Sequence, residues 1–183
     1  MNLPEQEYVI LVDRNDQQVG TMEKMEAHRL GALHRAFSVF VFNSNGEMLL
    51  QQRALGKYHS PGLWTNTCCS HPRPEEKTPD AAQRRLSEEM GFVTPLEKAF
   101  SFIYKVQFEN DLFEHELDHV FIGEYDEEPK INPEEVAAYR WTHPDEVMQE
   151  MQDDPELFTA WFRICFEEMY DWYNAHLKNK KAS

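Results

Sequence analysis

The chain predicts an α/β fold, a mixed β-sheet covered by helices, and the order of its segments carries that prediction. Strand-like runs come first, one heavily punctuated helical segment interrupts them, further strand-like runs follow, and helical stretches close the chain. A length of 183 residues suits one domain. A globule of this size buries roughly 70% of the surface its unfolded chain exposes and needs no disulfide staples. No domain boundary, internal repeat or low-complexity tract stands out beyond the polar tail "KNKKAS".

"EYVILVD" reads as a first strand and "DRNDQQVG" as a turn. "EKMEAHRLGALHRA" holds His28, Gly31 and His34 without a steady apolar period and reads as a polar connection. "FSVFVFN", "NSNGE" and "MLLQQR" form a hairpin signal with Asn45-Gly46 at the turn. A loop, "ALGKYHSPG", leads into a strand at "LWTNTCC". Three prolines keep residues 72 to 79 irregular. A helix then follows, with Thr78 as N-cap, Pro79 at its first position, Ala82, Leu86 and Met90 recurring every four residues, and Gly91 as its stop. Strands are predicted at "FSFIYKVQF", "HELDHVFIGEY" and "AAYRW". Helices are predicted at "PDEVMQEM" and over "PELFTAWFRICFEEMYDWYNAHL", where Leu157, Trp161, Ile164, Cys165 and Met169 share a face.

Composition narrows the function. Three cysteines, two of them adjacent, make no extracellular framework, so a reducing cytoplasm is the expected compartment. No basic, apolar leader opens the chain, and no apolar run approaches the roughly 20 residues that span a bilayer. A net charge of −15, from 33 acidic and 18 basic residues, disfavours nucleic acid or an anionic membrane as partner. Basic residues near a site are therefore informative, because they must hold an anion against the global field.

Three constellations carry chemistry. "TNTCCSHP" places Cys68 and Cys69 beside His71; vicinal cysteines close no unstrained disulfide, and Cys165 is too isolated to complete a zinc module. The pair is either two buried structural thiols or one thiol with a chemical task. "FEHELDH" alternates, so that on a strand Glu114, Glu116 and Asp118 face one way while His115 and His119 face the other. Such carboxylates repel unless a cation lies between them or one is protonated, although an exposed strand would merely present a solvated acidic edge. With His28, His34 and His71, two of these carboxylates would make a five-ligand site for Mn²⁺, Zn²⁺ or Mg²⁺, nitrogen favouring the first two. Finally, Lys24, Arg53, Lys57 and Arg85 each adjoin one of these segments and are of the type that holds a diphosphate.

"SHPRPEEKTPDAAQRRLSEEMGF" resembles the Nudix box, with Glu76, Arg84, Leu86, Glu88, Glu89, Gly91 and Phe92 in register. Ser70 replaces the first glycine, and Arg85 replaces the glutamate after the arginine, which implies a Nudix-like frame with altered chemistry. "LHRAFSVFVFN", "LLQQRA", "GLWTNTCCSHP", "RRLSEEMG", "YKVQFENDLFEHELDHVF" and "TAWF" together resemble type I isopentenyl diphosphate isomerases, over roughly residues 8 to 165. That resemblance implies a Nudix-like sheet sandwiched by helices in one domain over 1–183, with an N-terminal elaboration (about 1–33), a core (about 34–150) and C-terminal helices (about 151–178). It implies a monomer acting on a prenyl diphosphate in isoprenoid biosynthesis. The double bond would shift with Cys69 on one face of the substrate and Glu116, assisted by Tyr104, on the other. His28, His34, His71, Glu114 and Glu116 would surround Mn²⁺ or Zn²⁺, while Glu89 and the Cys69 carbonyl would help hold a Mg²⁺ on the diphosphate. Lys24, Arg53, Lys57 and Arg85 would grip the phosphates and Trp161 would lie over the isoprenoid carbons. Two other readings compete: a hydrolase of a nucleoside or other diphosphate, and a catalytically silent ligand-binding module.

Overall fold

A computed structural model describes residues 7–57, 59–108 and 110–178; the first six residues and all but the first residue of the polar tail lie outside it. The strands are β1 (Tyr8–Val12), β2 (Gln18–Glu23), β3 (His34–Phe42), β4 (Met48–Arg53), β5 (Trp64–Thr65), β6 (Cys68–Ser70), β7 (Leu96–Gln107), β8 (Phe113–Glu124) and β9 (Val136–Thr142). The helices are α1 (Lys24–Leu30), α2 (Thr78–Met90), α3 (Pro144–Asp153) and α4 (Ala160–Tyr173).

Everything turns on β3. Its residues 34–42 pair in parallel with β8 along their whole length. On its other side β1 takes His34, β6 takes residues 37–39 and β4 takes Phe42. All the remaining ladders are antiparallel, so the sheet is mixed. Both faces of β3 are buried, which explains its nearly unbroken apolar run. Phe37, Val39 and Val41 pack with Leu86 and Met90 of α2 on one face. Phe40 and Phe42 pack with Trp161, Phe162 and Phe166 of α4 on the other. The helices thus cover opposite faces of the sheet.

The predicted hairpin forms but opens like a fork, because β3 and β4 share only the Phe42–Met48 pair before β5 and β6 enter between them. The "TNT" run fills the opening. Thr67 Oγ1 donates to Leu49 O (2.7 Å) and accepts from Val41 N (2.9 Å), joining the separated strands. Asn66 Nδ2 donates to Val39 O (3.2 Å) and to Cys68 O (2.7 Å). Thr65, Asn66 and Thr67 are fully buried, so these hydrogen bonds are made in the interior, where an unmet polar group is costly.

Several elements differ from the sequence prediction. The polar connection contains α1, whose N-terminus is capped by the Glu23 carboxylate accepting from the amides of Met25 and Glu26, and whose end is Gly31 at φ 62°. It buries only Ala27 and His28, too little to leave an apolar period. The segment read as a turn before it ends in β2. "LWTNTCC" is two short strands broken at Asn66-Thr67. Thr78 is the first residue of α2, not its cap, and no side chain caps that end. Gly91 does close α2, at φ 75°, where a Cβ would meet Lys130 O at 2.3 Å. The long C-terminal helix is interrupted: residues 155–157 form one 3₁₀ turn, Phe158 bridges Trp64, and α4 starts only at Ala160. Of the predicted face, Trp161, Cys165 and Met169 are buried, whereas Leu157 and Ile164 are exposed.

Among the described residues no helix is long and apolar enough to cross a membrane.

Candidate active site

The strands that meet at the open fork carry the polar side chains. β8 delivers Glu114, Glu116 and Asp118 to one face; all three are buried, so the solvated acidic edge is not what forms. β6 has the same alternation: Cys68 is fully buried in the cluster under α2, while Cys69 lines a cavity of ≈ 80 Å³. Tyr104 reaches that cavity from β7, which pairs with β8 so that Tyr104 lies opposite Glu116. Its hydroxyl donates to Glu116 Oε2 (2.6 Å) and lies 3.1 Å from Glu114 Oε2.

Behind the cavity, ligand atoms of His28, His34, His71 and Glu116 lie within 4.8 Å of one another. They come from α1, β3, the segment after β6, and β8. Glu116 Oε1 is 2.8 Å from His71 Nε2 and 3.4 Å from His34 Nε2. His34 Nδ1 is 2.8 Å from the Ala32 carbonyl, which can only accept, so Nδ1 donates there and Nε2 is the atom turned to the cluster. Burial lowers His28 to about 3 and is also the main reason that His71 moves down. Three convergent imidazoles and a carboxylate are a donor set that fits a divalent metal.

Glu114, the fifth predicted ligand, is outside this group of four. Its Oε1 lies 3.2 Å from His59 Nε2, while its Oε2 is held by Tyr104. Burial and then Glu116 push the Glu114 carboxyl well up, whereas burial of Glu116 is outweighed by His71 and His34, which hold it well below the usual range. The two carboxyls of one strand face are thus pushed in opposite directions by their different neighbours. Asp118 is raised to about 8 by burial and by Glu116, and its Oδ2 accepts from Ser38 Oγ at 2.8 Å. Burial also pushes the Cys69 thiol up.

The basic residues collect at one mouth. Lys24, Lys57 and Arg85 line both the inner cavity and an adjoining outer one of ≈ 400 Å³. Each is tethered by an acid: Lys24 by Glu7 (2.6 Å), Lys57 by Glu135, and Arg85 by Glu89 (2.6 Å), Glu88 (2.9 Å) and Glu135 (3.1 Å). Arg53 lies deeper, its guanidinium carbon 5.1 Å from the Trp161 ring centroid. Trp161 is buried and lines the same cavity. Glu89 lines it too, accepting from Gln51 Nε2 at 2.8 Å.

Of the residues that the resemblance assigns to catalysis, substrate or metal, all line the inner cavity except His28 and His34, which stand behind it in the four-residue cluster. Two participants escaped notice. Gln51 bridges Thr67 O and Glu89, and its only signal was a polar pair ending an apolar strand. His59 sits in a loop with no periodicity to mark it.

The NUDIX domain family matches residues 32–162 of the chain. Among solved structures, DR0079 from Deinococcus radiodurans superposes with a TM-score of 0.76 at 20% identity, over 90% of this chain and 99% of its own. A MutT protein from Methanosarcina mazei gives 0.62 at 23% identity, over 78% and 95%. The fold is thus that of the NUDIX class. Closer in sequence, a protein of Pectobacterium atrosepticum named isopentenyl-diphosphate Delta-isomerase is 53% identical over 167 residues, covering 91% of this chain and 93% of that one. A namesake from Burkholderia multivorans is 52% identical over 162 residues, covering 88% and 92%. The chain belongs to the isopentenyl-diphosphate Delta-isomerase family within the NUDIX class.

Proposed function

We propose that the chain converts isopentenyl diphosphate to dimethylallyl diphosphate by adding a proton to the terminal alkene carbon and removing one from the carbon on the other side of the branch. The observation that carries this reading is that Cys69, Glu116 and Tyr104 share one small cavity with a basic mouth. An alkene is a very weak base, so the reaction needs a positioned acid and a stabilised tertiary cation. Cys69 serves one face of the carbon skeleton, and Glu116 with Tyr104 serves the other. The groups that give and take the proton exchange roles in the reverse direction, which leaves the net proton count unchanged.

Lys24, Arg53, Lys57 and Arg85 hold the diphosphate, and its binding energy places the unreactive carbons between the two proton-transfer faces. The face of Trp161 offers the cation on the order of 2 kcal/mol once water is excluded. Exclusion of water by the apolar side of α4 also prevents hydration to an alcohol.

His28, His34, His71 and Glu116 would hold a transition metal, Mn²⁺ or Zn²⁺, with Glu114 as the candidate fifth ligand. Glu89 and the Cys69 carbonyl would hold a Mg²⁺ on the diphosphate. When bound, these ions supply positive charge that offsets the phosphates and strengthens nearby proton donors. Arg85, standing where the Nudix box has glutamate, counts against hydrolysis and gives the phosphates a further cation.

Incubation with isopentenyl diphosphate and Mg²⁺ in D₂O tests the reading. It should yield dimethylallyl diphosphate with deuterium in the carbon skeleton and no free phosphate. Phosphate release without isomerisation would replace it with a hydrolase, and binding without deuterium uptake would replace it with a silent module.

A further inference from the structure

Away from the Lys24, Lys57 and Arg85 mouth, the inner cavity reaches His59, beside Trp161, Glu114 and Arg53. A separate groove of ≈ 570 Å³ runs between the 59–63 loop, the end of β7 and the start of α4. Among the described residues, His59 alone lines both spaces. Its imidazole is wedged from several sides. It stacks on Phe108 with centroids 5.0 Å apart and planes 18° apart, and it meets Trp161 edge-on at 5.7 Å. Nε2 lies 3.2 Å from Glu114 Oε1, and the His59 carbonyl accepts from Arg53 Nη2 at 3.2 Å. The loop behind it turns through Ser60 at φ 49° and Gly62 at φ 72°, two left-handed residues in succession but one. The side chain is 8% exposed, so it fills the opening and does not lie across it loosely.

We propose that His59 is a specificity-determining residue whose ring closes the hydrocarbon end of the cavity and so limits the substrate to a short, methyl-branched skeleton. This rests on the isomerase reading, because a diphosphate held at the Lys24, Lys57 and Arg85 mouth directs its carbons past Cys69 toward Trp161 and His59. Beyond the ring, Leu63, Val106, Phe108 and Phe158 give the groove an apolar wall, with Glu156 and Arg163 also lining it. Removing the ring would join the two spaces and give a longer branch somewhere apolar to go. Glu114 gains a polar partner from the same ring, so a purely positional role makes a different prediction, a uniform loss on every substrate.

The probes are isopentenyl diphosphate and its homologues carrying ethyl or propyl in place of the methyl branch. For each enzyme the readout is kcat/KM on a homologue divided by that on the parent. In His59→Ala this ratio should rise by roughly tenfold or more, the scale on which an apolar pocket senses added methylenes. His59→Phe keeps a ring in the opening while losing the Glu114 contact, and should keep the wild-type ratio. Phe108→Ala removes the backing of the ring and should shift the ratio in the same direction as His59→Ala, which keeps the idea testable if one variant folds poorly. An unchanged ratio in both alanine variants overturns the proposal, as does His59→Phe relaxing selection as much as His59→Ala. Failure of the wild type to convert the parent compound in D₂O would instead overturn the isomerase reading itself.

Discussion

Two adjacent residues show how finely position sets role. Cys68 and Cys69 are chemically identical, yet strand alternation sends one into the cluster under α2 and the other to the cavity. Cys69→Ala should abolish isomerisation, while Cys68→Ala should retain most activity and cost about 1 kcal/mol of stability; equal activities in a D₂O assay would remove Cys69 from the mechanism. Tyr104 is tested separately. Its hydroxyl is the hydrogen-bond partner of both Glu114 and Glu116, and its ring is packed on Phe102. Tyr104→Phe keeps the ring, so kcat should fall by roughly 10²–10⁴ with little change in KM if the hydroxyl takes part in proton transfer. A KM effect alone would assign it to binding.

Among the elements, the fork between β3 and β4 is where the fold makes room for the site. Thr67→Val is nearly isosteric but leaves the Val41 amide and the Leu49 carbonyl without their buried partner. Each such group costs about 1–3 kcal/mol, so denaturant unfolding should show a loss of about 2–4 kcal/mol. A loss below about 1 kcal/mol would mean that the fork does not depend on this splint. The lead-in to α2 carries a second brace. Glu76 accepts from Arg84 Nε (2.7 Å), Arg84 Nη2 (2.9 Å) and the Arg73 amide (2.8 Å). The Arg84 hydrogen bond is the main reason that the Glu76 carboxyl lies below its ordinary value of 4.5. A depressed folded-state value means that the stabilisation is complete above about pH 4.5 and is lost as pH falls through the folded value. Glu76→Gln should therefore cost about 1–2 kcal/mol near neutral pH, and the difference between the two melting curves should close in acid.

Element by element, local signals went far. The β3–β4 run, β7, β8, β9 and α2 were legible because apolar period and turn or cap residues act between near neighbours. The helix α1 was not, since its buried face is an alanine and a histidine and its cap is a glutamate. Nor was the break before α4. No glycine or proline marks residues 158–159; Thr159 leaves the helix because its amide donates to Trp64 O (3.0 Å) and its hydroxyl to Thr65 Oγ1 (2.9 Å). That tertiary contact is what restarts the helix at Ala160, next to the Trp161 that lines the cavity.

At the scale of the whole molecule, the His28, His34, His71 and Glu116 group draws together four separate elements, among them the N-terminal α1 and the central β3. A metal held there ties the N-terminal segment to the sheet, so its binding energy adds to folding. At a hundredfold excess of free metal over Kd the gain is about 2.7 kcal/mol, or roughly 5–10 °C in Tm for a chain of this length. Chelation should lower Tm by about that much and abolish isomerisation, and His34→Ala should remove the metal dependence of Tm. An unaltered Tm on chelation would show that the cluster holds no ion. The global charge of −15 runs against an anionic substrate, and Lys24, Lys57 and Arg85 gather cationic groups at the cavity mouth, beside Glu7 and Glu135.

The sequence by itself determined which residue types were available and on which strand or helix most of them sit: "TNTCCSHP", "FEHELDH" and "RRLSEEMGF" announce their chemistry in a few consecutive residues. Only the tertiary structure decided that the acidic strand is buried, that Glu114 lies 3.2 Å from His59, and that a loop histidine lines the far end of the cavity. Those outcomes depend on pairings between segments far apart in the chain, β3 with β8 and Trp64 with Phe158, whose energy no short stretch of sequence contains.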